Sequence, residues 1–306
     1  MDTFRLLETA YEKHHSAFSL PRDPIFLVHG YQSKEDQEIA GFFSAILAYG
    51  NVRTILSSAG RVLRALGPSP AAALHREFPA ELRSFKHRFT TGADIEIVFH
   101  WLRAAVQSHG SLETYFVPQP KGANTREILG DFVTRFTAQP LPSSLEGTRA
   151  QRARQLKYLL PHPERGSACK RLCMYLRWMV RPKDGIDLGL WTRMQPADLV
   201  LPIDTHLLKA VRALRWSRSK TANWKMAEKA TARLREYCPQ DPVRYDFALC
   251  HLSMEGGKVL QYRDTLCADG TTTHLPKKRA GKTSRRAPST SSKRSTRRNA
   301  SSKARA

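Results

Sequence analysis

Apolar side chains recur at intervals of three and four residues along most of this chain, which is the spacing of one face of an α-helix. The pattern is clear after Ser33, a residue type that often caps a helix, with Asp36 three residues later. Sustained alternation of β-branched residues, typical of strands, is not found. The pattern therefore predicts an all-α protein. The apolar positions after Ser33 are Ile39, Phe42, Phe43, Ile46 and Leu47.

Residues that begin and end helices divide the rest of the chain. Gly67 and Pro68 close one apolar pattern, and Asn124 with Glu127 forms a capping box ahead of another. These signals predict short loops between many helices. The predicted helical segments are 34–50, 52–67, 93–110, 128–136, 147–160, 167–180, 205–216, 223–237 and 241–254.

The C-terminal segment differs in composition from the rest. Residues 277–306 hold twelve lysines and arginines and no acid, and they lack aromatic and large aliphatic residues. Such a segment cannot bury a core, which predicts a helical domain over 1–268 and a disordered basic tail over 269–306. The tail is interpreted as a tether to the nucleic-acid backbone, with a solvated appendage as the alternative.

The charge of the whole chain points to a polyanionic partner. The formal net charge is +23, and about half of it lies outside the tail. The chain has no run of about 18 apolar residues, so no membrane span is predicted. The N-terminus has no apolar signal core. The five cysteines form no CxxC pair, so neither a metal nor another cofactor is predicted. We expect a monomer that is cytoplasmic and nucleoid-associated, with DNA as its partner.

One segment, YLLPHPERGSACKRL, is typical of two helices joined by a short hairpin near residues 148–181. Ser167 is expected to cap the second helix. The backbone N–H groups of such a turn and the positive end of the helix suit a phosphate oxygen. Arg165, Gly166 and Ser167 are therefore predicted to contact DNA.

Lys170 lies in the first turn of the second predicted helix. The helical wheel places it opposite the apolar stripe, on the same side as Arg177 and Arg181. The two arginines are therefore predicted to hold phosphates. The Lys170 amine is either a nucleophile able to form a Schiff base or a solvated surface group.

Asp204 stands in the segment LPIDTHLLKA, just before an apolar pattern of helical spacing. Its carboxylate is placed to cap a helix. The cap would also fix the orientation of the carboxylate, so Asp204 is able to do chemistry as well.

The pairing of GSACKRL with PIDTHLLKAVRAL resembles the helix–hairpin–helix DNA glycosylase superfamily, which includes endonuclease III. The resemblance implies a two-lobed helical fold in which Lys170 and Asp204 are catalytic. FFSAILAYGNVRTILSSAGRVL resembles the helix–loop–helix that supplies the residue inserted into the DNA stack. Asn51 stands at that position, with Arg53 beside it, and His206 is a possible helper.

The chain departs from this superfamily in three respects. HPERG replaces the usual hairpin LPGVG, and no C-terminal four-cysteine run is present for an iron–sulfur cluster. Lys170 and Asp204 are 34 residues apart, which resembles the longer connection of archaeal 8-oxoguanine glycosylases. Up to about residue 265 the chain also resembles a bacterial family of unassigned function, through AYGN, RFTTG, GSACKRL and DTH.

These features predict a bifunctional DNA glycosylase and AP lyase that acts on a damaged or abasic nucleotide. Its base pocket needs stacking groups, for which five aromatic residues are available, although large aromatics in helices more often lie in the core. One alternative is a non-catalytic DNA- or RNA-binding protein in which Lys170 contacts phosphate. Another is a nucleoid-associated protein that binds through its tail. The five aromatic residues are Phe85, Phe89, Trp178, Trp191 and Trp216.

Overall fold

The computed structural model describes residues 3–118 and 124–254, all within the first of the two units into which the chain divides, Met1–Ala268 and Asp269–Ala306. Over this part of the chain the predicted all-α class is confirmed. The predicted tail lies outside the described residues. The α-helices are α1 (Thr3–His14), α2 (Lys34–Ile46), α3 (Val52–Leu66), α4 (Pro70–Ala73), α5 (Gly92–His109), α6 (Leu112–Phe116), α7 (Thr125–Ala138), α8 (Ser143–Leu159), α9 (Lys170–Val180), α10 (Thr205–Ala213), α11 (Trp224–Arg235) and α12 (Asp246–Met254).

Three of the boundary signals read from the sequence, at Ser33, Gly67 and Asn124, begin or end helices as predicted. The Ser33 hydroxyl accepts from the Asp36 N–H (3.1 Å), and Asn124 and Glu127 form the expected capping box. Gly67 ends α3 with a φ of +84°, which costs glycine little. None of the described helices is long and apolar enough to cross a bilayer.

A small β-hairpin interrupts the helices and was not predicted. Strands β1 (Lys86–His87) and β2 (Thr90–Thr91) pair antiparallel around a turn formed by Arg88 and Phe89. Two residues per strand are too few to produce a readable alternation. Directly after β2, Gly92 begins α5 where a Cβ atom would lie 2.1 Å from the carbonyl oxygen of Leu82. Close backbone contact therefore explains the glycine of the RFTTG segment.

The core is built around α2 and α9, whose surfaces are covered on nearly every side. In α9 every residue from Arg171 to Val180 is buried. Phe42 of α2 packs edge-on against Tyr175 of α9 (ring centroids 5.5 Å apart), and the Tyr175 hydroxyl donates to the Glu38 carbonyl (3.0 Å). The long axis of α9 is thus fixed within the core, and its N-terminal residue Lys170 is only half-buried.

The prediction that Arg177 and Arg181 face solvent is wrong. They are 3% and 4% exposed, because chain segments rich in aspartate pack against the α9 face opposite the apolar stripe. Arg177 pairs with Asp187 (3.2 Å) and with Asp246. Burial alone would lower the pKa of Arg177, but these carboxylates raise it above its ordinary value. Neither arginine is available to DNA phosphates.

Arg181 completes this buried ion cluster. It pairs with Asp184 (3.0 Å), Asp187 and Asp241 (2.9 Å). Asp184 and Asp187 follow α9 directly, whereas Asp241 precedes α12. We call Arg177, Arg181 and their four aspartates the arginine–aspartate cluster; it joins α9 to the C-terminal part of the described chain.

Replacing Asp187 with alanine should destabilise the fold by about 3–5 kcal/mol, because it removes a carboxylate shared by two buried guanidinium groups. The exposed pair Arg233–Glu236 offers a control, and Arg233→Ala should change the free energy of unfolding by less than about 0.5 kcal/mol. Denaturant titrations of both variants test this. A similar small loss in both would show that the cluster does not hold the fold together.

Candidate functional site

A cleft of ≈ 630 Å³ opens where several chain segments meet. Lys170 and Asp204, which are 34 residues apart in the sequence, line this same cleft. The whole AYGN segment lines it too. The lining residues are Arg22, Pro24, Ala48, Tyr49, Gly50, Asn51, Val52, Ile55, Lys170, Arg171, Asp204, Thr205, His206, Ala222 and Cys250.

Lys170 is placed by an unusual start to α9. The residue before it, Cys169, has φ +46° and ψ +32°, a left-handed conformation that is rare outside glycine and asparagine. Ser167 was predicted to cap the helix; instead its hydroxyl accepts from the Cys169 N–H (3.1 Å), since the left-handed residue delays the first helical turn. The Lys170 side chain makes no hydrogen bond or ion pair with another described residue, so its amine is available to a ligand.

Asp204 is confirmed as the cap of α10. One carboxylate oxygen, Oδ1, accepts from the N–H groups of His206 (2.8 Å) and Leu207 (2.9 Å). The other, Oδ2, accepts no hydrogen bond from the described residues. The cap therefore fixes the carboxyl group while one oxygen is left for the cleft.

His206 lines the cleft beside Asp204. Its Nδ1 is buried without a hydrogen-bond partner among the described residues. Its carbonyl oxygen accepts from Ser253 of α12 (2.9 Å). A buried ring nitrogen without a hydrogen-bond partner is costly to the fold.

Buried acidic groups lie within electrostatic range of both Lys170 and Asp204. Burial raises the pKa of Asp246 to about 6; Arg177 opposes the rise, Asp204 adds to it and Lys170 opposes it. Burial also raises the pKa of the Cys250 thiol above its ordinary value, with the same two cleft charges contributing. Lys170 and Asp204 therefore influence the same small region of α12.

The cysteines near the cleft are poor nucleophiles. Burial raises the pKa of Cys169 to about 12, and Cys250 is shifted in the same direction. The thiolate is the reactive form of cysteine, and burial suppresses it here. No group of three metal-ligating side chains occurs within residues 3–118 and 124–254. Among the side chains lining the cleft, the Lys170 amine remains the candidate nucleophile.

Asn51 lies on the rim of the cleft and caps α3. Its Oδ1 accepts from the Arg53 N–H (2.9 Å), and its side chain is exposed. The preceding residue, Gly50, has φ +102°, and a Cβ there would lie 3.0 Å from the Arg88 guanidinium. The loop before α3 thus requires a glycine and places an amide side chain at the mouth of the cleft.

The remaining predicted contacts lie outside the cleft. Arg53 is exposed on α3, and Arg165 and Gly166 are exposed in the connection between α8 and α9. Ser167 bridges to Asn223 at the start of α11. The structure therefore brings together Lys170, Asp204, Asn51 and His206 of the predicted set; the others that remain exposed could reach only a ligand larger than the cleft.

Tyr49 and Arg171 line the cleft and were not among the predicted site residues. The Arg171 guanidinium donates to the Ile46 carbonyl (2.7 Å) and lies 5.2 Å from the Tyr49 ring centre. Both residues belong to segments already quoted for their resemblance, AYGN and GSACKRL, and that was the only signal for them. The pairing itself depends on the packing of α9 against the end of α2.

Comparison with known families assigns most of this chain to one of them. A family model described as a protein of unknown function, DUF2400, matches residues 23–255. The chain belongs to the DUF2400 family. The match includes every residue that lines the cleft except Arg22, and the expected membership of a family of unassigned function is confirmed. No curated protein and no solved structure matches the chain.

Replacing Asp204 with alanine should destabilise the protein by about 0.5–2 kcal/mol, because two N–H groups of α10 lose their acceptor. Asp204→Asn should cost much less, since asparagine caps as well as aspartate does. Thermal unfolding of the two variants measures the difference. Asn223→Ala removes the cap of α11 outside the cleft, so its loss of stability is the reference value for losing one cap. Equal losses of stability for both Asp204 variants would contradict the capping role.

Proposed function

We propose that this chain is a DNA glycosylase with AP lyase activity, acting on a damaged or abasic nucleotide through Lys170 and Asp204. The supporting observation is that these two side chains, far apart in sequence, line one cleft together with Asn51. The two-lobed helix–hairpin–helix glycosylase fold, DNA as the partner and the nucleoid as the place of action belong to this proposal.

The cleft suits a single nucleotide taken out of the DNA stack. Its volume of ≈ 630 Å³ falls within the roughly 300–1,000 Å³ of small-molecule sites. A base inside a duplex is out of reach of a side chain, so the target must be extruded first. Asn51 at the rim is placed to occupy the space that the extruded nucleotide leaves.

The chemistry follows from an amine and a carboxylate that line one cleft. The unprotonated Lys170 amine attacks C1′, and the C1′–N bond breaks with its electron pair going to the base, which takes up the proton that the lysine nitrogen loses. Loss of the base builds positive charge on the sugar, which the Asp204 carboxylate stabilises. In this proposal Asp204 also accepts the proton from the lysine nitrogen before the base takes it up.

Strand cleavage would follow from the covalent adduct. Opening of the sugar between C1′ and O4′ gives an imine between Lys170 and C1′, with the proton going to O4′. Removal of a C2′ proton then expels the 3′-phosphate by β-elimination, and water hydrolyses the imine to free the amine. This sequence needs no oxidant, reductant or cofactor.

Borohydride trapping of the full-length protein tests this proposal. The substrates are duplexes that contain an abasic site, 8-oxoguanine, uracil or an oxidised pyrimidine. We expect a covalent adduct with at least one of them, its loss in Lys170→Ala because the imine nitrogen is gone, and a fall of about 100-fold or more in the single-turnover rate for Asp204→Asn.

Lys209→Ala is the matched control, because Lys209 is an exposed lysine of α10 that does not line the cleft. Its adduct should form as in the wild type. Salt-sensitive DNA binding with no adduct from any substrate would overturn the proposal and favour a non-catalytic nucleic-acid-binding protein. In that case Lys170→Ala should lower the slope of log affinity against log salt by about one unit.

A further inference from the structure

Of the five aromatic residues available as stacking groups, one remains on the surface. Phe89 is 43% exposed, whereas the other four belong to the core. Phe89 stands at the tip of the β-hairpin rather than in a helix. The four buried residues are Phe85, Trp178, Trp191 and Trp216.

Two neighbouring aromatic rings fix the orientation of the Phe89 ring. It stacks on Tyr49 with ring centres 5.2 Å apart and an interplanar angle of 18°, and Tyr158 packs edge-on at 4.7 Å. The Tyr49 hydroxyl bonds to the His87 carbonyl (3.0 Å) and to the Thr90 hydroxyl (2.6 Å). These three rings form an ordered surface that we call the aromatic platform.

The turn that presents Phe89 is strained. Arg88 has a φ of +55°, in the left-handed region where a non-glycine residue is strained. Its guanidinium lies 5.9 Å from the Phe89 ring centre and against Gly50 at the rim of the cleft. Glycine at position 88 would adopt this φ with less strain, yet the residue is an arginine. Its guanidinium lies between the platform and the cleft.

A groove lined by Phe89 and Tyr158 of the platform also contains two arginines, Arg152 and Arg154. It has a volume of ≈ 480 Å³, and no acidic side chain lines it. Arg152 is held in place by Asp94 and by the Phe89 carbonyl (2.9 Å), while Arg154 is exposed. The lining residues are Phe89, Gln151, Arg152, Arg154, Gln155 and Tyr158.

The platform is continuous with the cleft that contains Lys170 and Asp204. Tyr49 belongs to both, since it lines the cleft and supports Phe89. Arg171 also lines the cleft, and its guanidinium lies 4.7 Å from the Tyr158 ring centre. A strand with one nucleotide in the cleft can therefore extend across the platform through this shared wall.

We propose that the aromatic platform binds an unpaired base of single-stranded DNA by stacking on Phe89, with the adjoining phosphates held by Arg88 and Arg154. Exposed aromatic rings beside arginines are the usual means of holding single strands without reading their sequence. The proposal rests on the proposed function in one respect: it takes the strand to be the one whose nucleotide enters the cleft.

The exposed area and the charge favour a nucleobase over a folded protein partner. The exposed rings are those of Phe89 and Tyr158, at 43% and 42%, whereas a stable protein interface needs about 800 Å² from each partner. A base needs only one ring face, and its phosphates match the exposed guanidinium groups of Arg88 and Arg154.

The test is binding of the full-length protein to a single-stranded oligodeoxynucleotide that contains one 2-aminopurine, whose fluorescence falls when the base stacks. A second oligonucleotide has the same phosphates but a tetrahydrofuran abasic analogue at every position, which has no base and cannot form an imine with Lys170. We expect Phe89→Ala to weaken binding of the base-containing strand by about five-fold or more and to remove the quenching. Binding of the base-free strand should stay unchanged, because its phosphates meet the same arginines.

Phe4→Ala is the matched control. Phe4 is 44% exposed and also stacks on a tyrosine, Tyr237, with centres 6.4 Å apart, but it lies on α1. Its replacement should leave both oligonucleotides bound as by the wild type. Residues 269–306 contain no aromatic residue, so stacking on the tail cannot produce the quenching.

Arg88→Gly separates binding from folding. Glycine relieves the left-handed backbone at this position, so the thermal midpoint should stay equal or rise while affinity for both oligonucleotides falls. Equal affinity of Phe89→Ala and wild type for the base-containing strand would overturn the platform. The adduct assay tests the proposed lyase separately. If Phe89→Ala loses stacking but the wild type forms no adduct, the platform stands and the lyase proposal fails. If the wild type forms the adduct but Phe89→Ala stacks as well as the wild type does, the lyase stands and the platform fails.

Discussion

The geometry of the cleft depends on the arginine–aspartate cluster buried along α9. Arg177 reaches Asp246 at the start of α12, and Arg181 reaches Asp241 just before it. Because α12 packs against α10, the cluster connects the helix that begins with Lys170 to the helix that Asp204 caps. Buried charges are costly to desolvate, and here each arginine is shared among several carboxylates. The helices α9, α10 and α12 are thereby held in one arrangement.

Within this arrangement of helices, local backbone conformations and caps orient the individual side chains. The left-handed Cys169 sets where α9 begins, and the cap at Asp204 orients one carboxylate. The glycine before Asn51 lets the loop turn sharply at the rim. These devices are small in energy compared with the core, yet they decide which atoms face the cleft. The position of the proposed catalytic pair thus depends on two kinds of interaction. Ion pairs between residues distant in sequence bring the helices together, and the local structure of the helix ends orients the Lys170 and Asp204 side chains.

Several features that depend on neighbouring residues could be predicted from the sequence, although the expected Ser167 cap was not found. Ser33, Asn124 and Asp204 cap helices as expected, because a cap needs only the next three residues. The placement of Arg177 and Arg181 could not be predicted, because two of their four partners, Asp246 and Asp241, lie 69 and 60 residues away. A helical wheel shows which side is polar, and here both the polar and the apolar side of α9 are buried.

The aromatic residues and the site show the same limit. Phe85 and Phe89 are four residues apart with similar surroundings in sequence, yet one enters the core and the other stands on a turn. That turn depends on a two-residue pairing too short to be read as a pattern. For the site, the resemblance supplied Lys170 and Asp204, but residue spacing alone said nothing of their distance. Only the fold brings them to one cleft.

The most direct measurement is to map the borohydride-reduced adduct by mass spectrometry after digestion with a protease. Imines form with any accessible amine, and the basic C-terminal segment supplies several lysines, so the position of the adduct decides the mechanism. If Lys170 acts beside Asp204, the sugar remnant will be found on the peptide that contains Lys170. A remnant spread over lysines of residues 277–306, with Lys170 unmodified, would contradict the account.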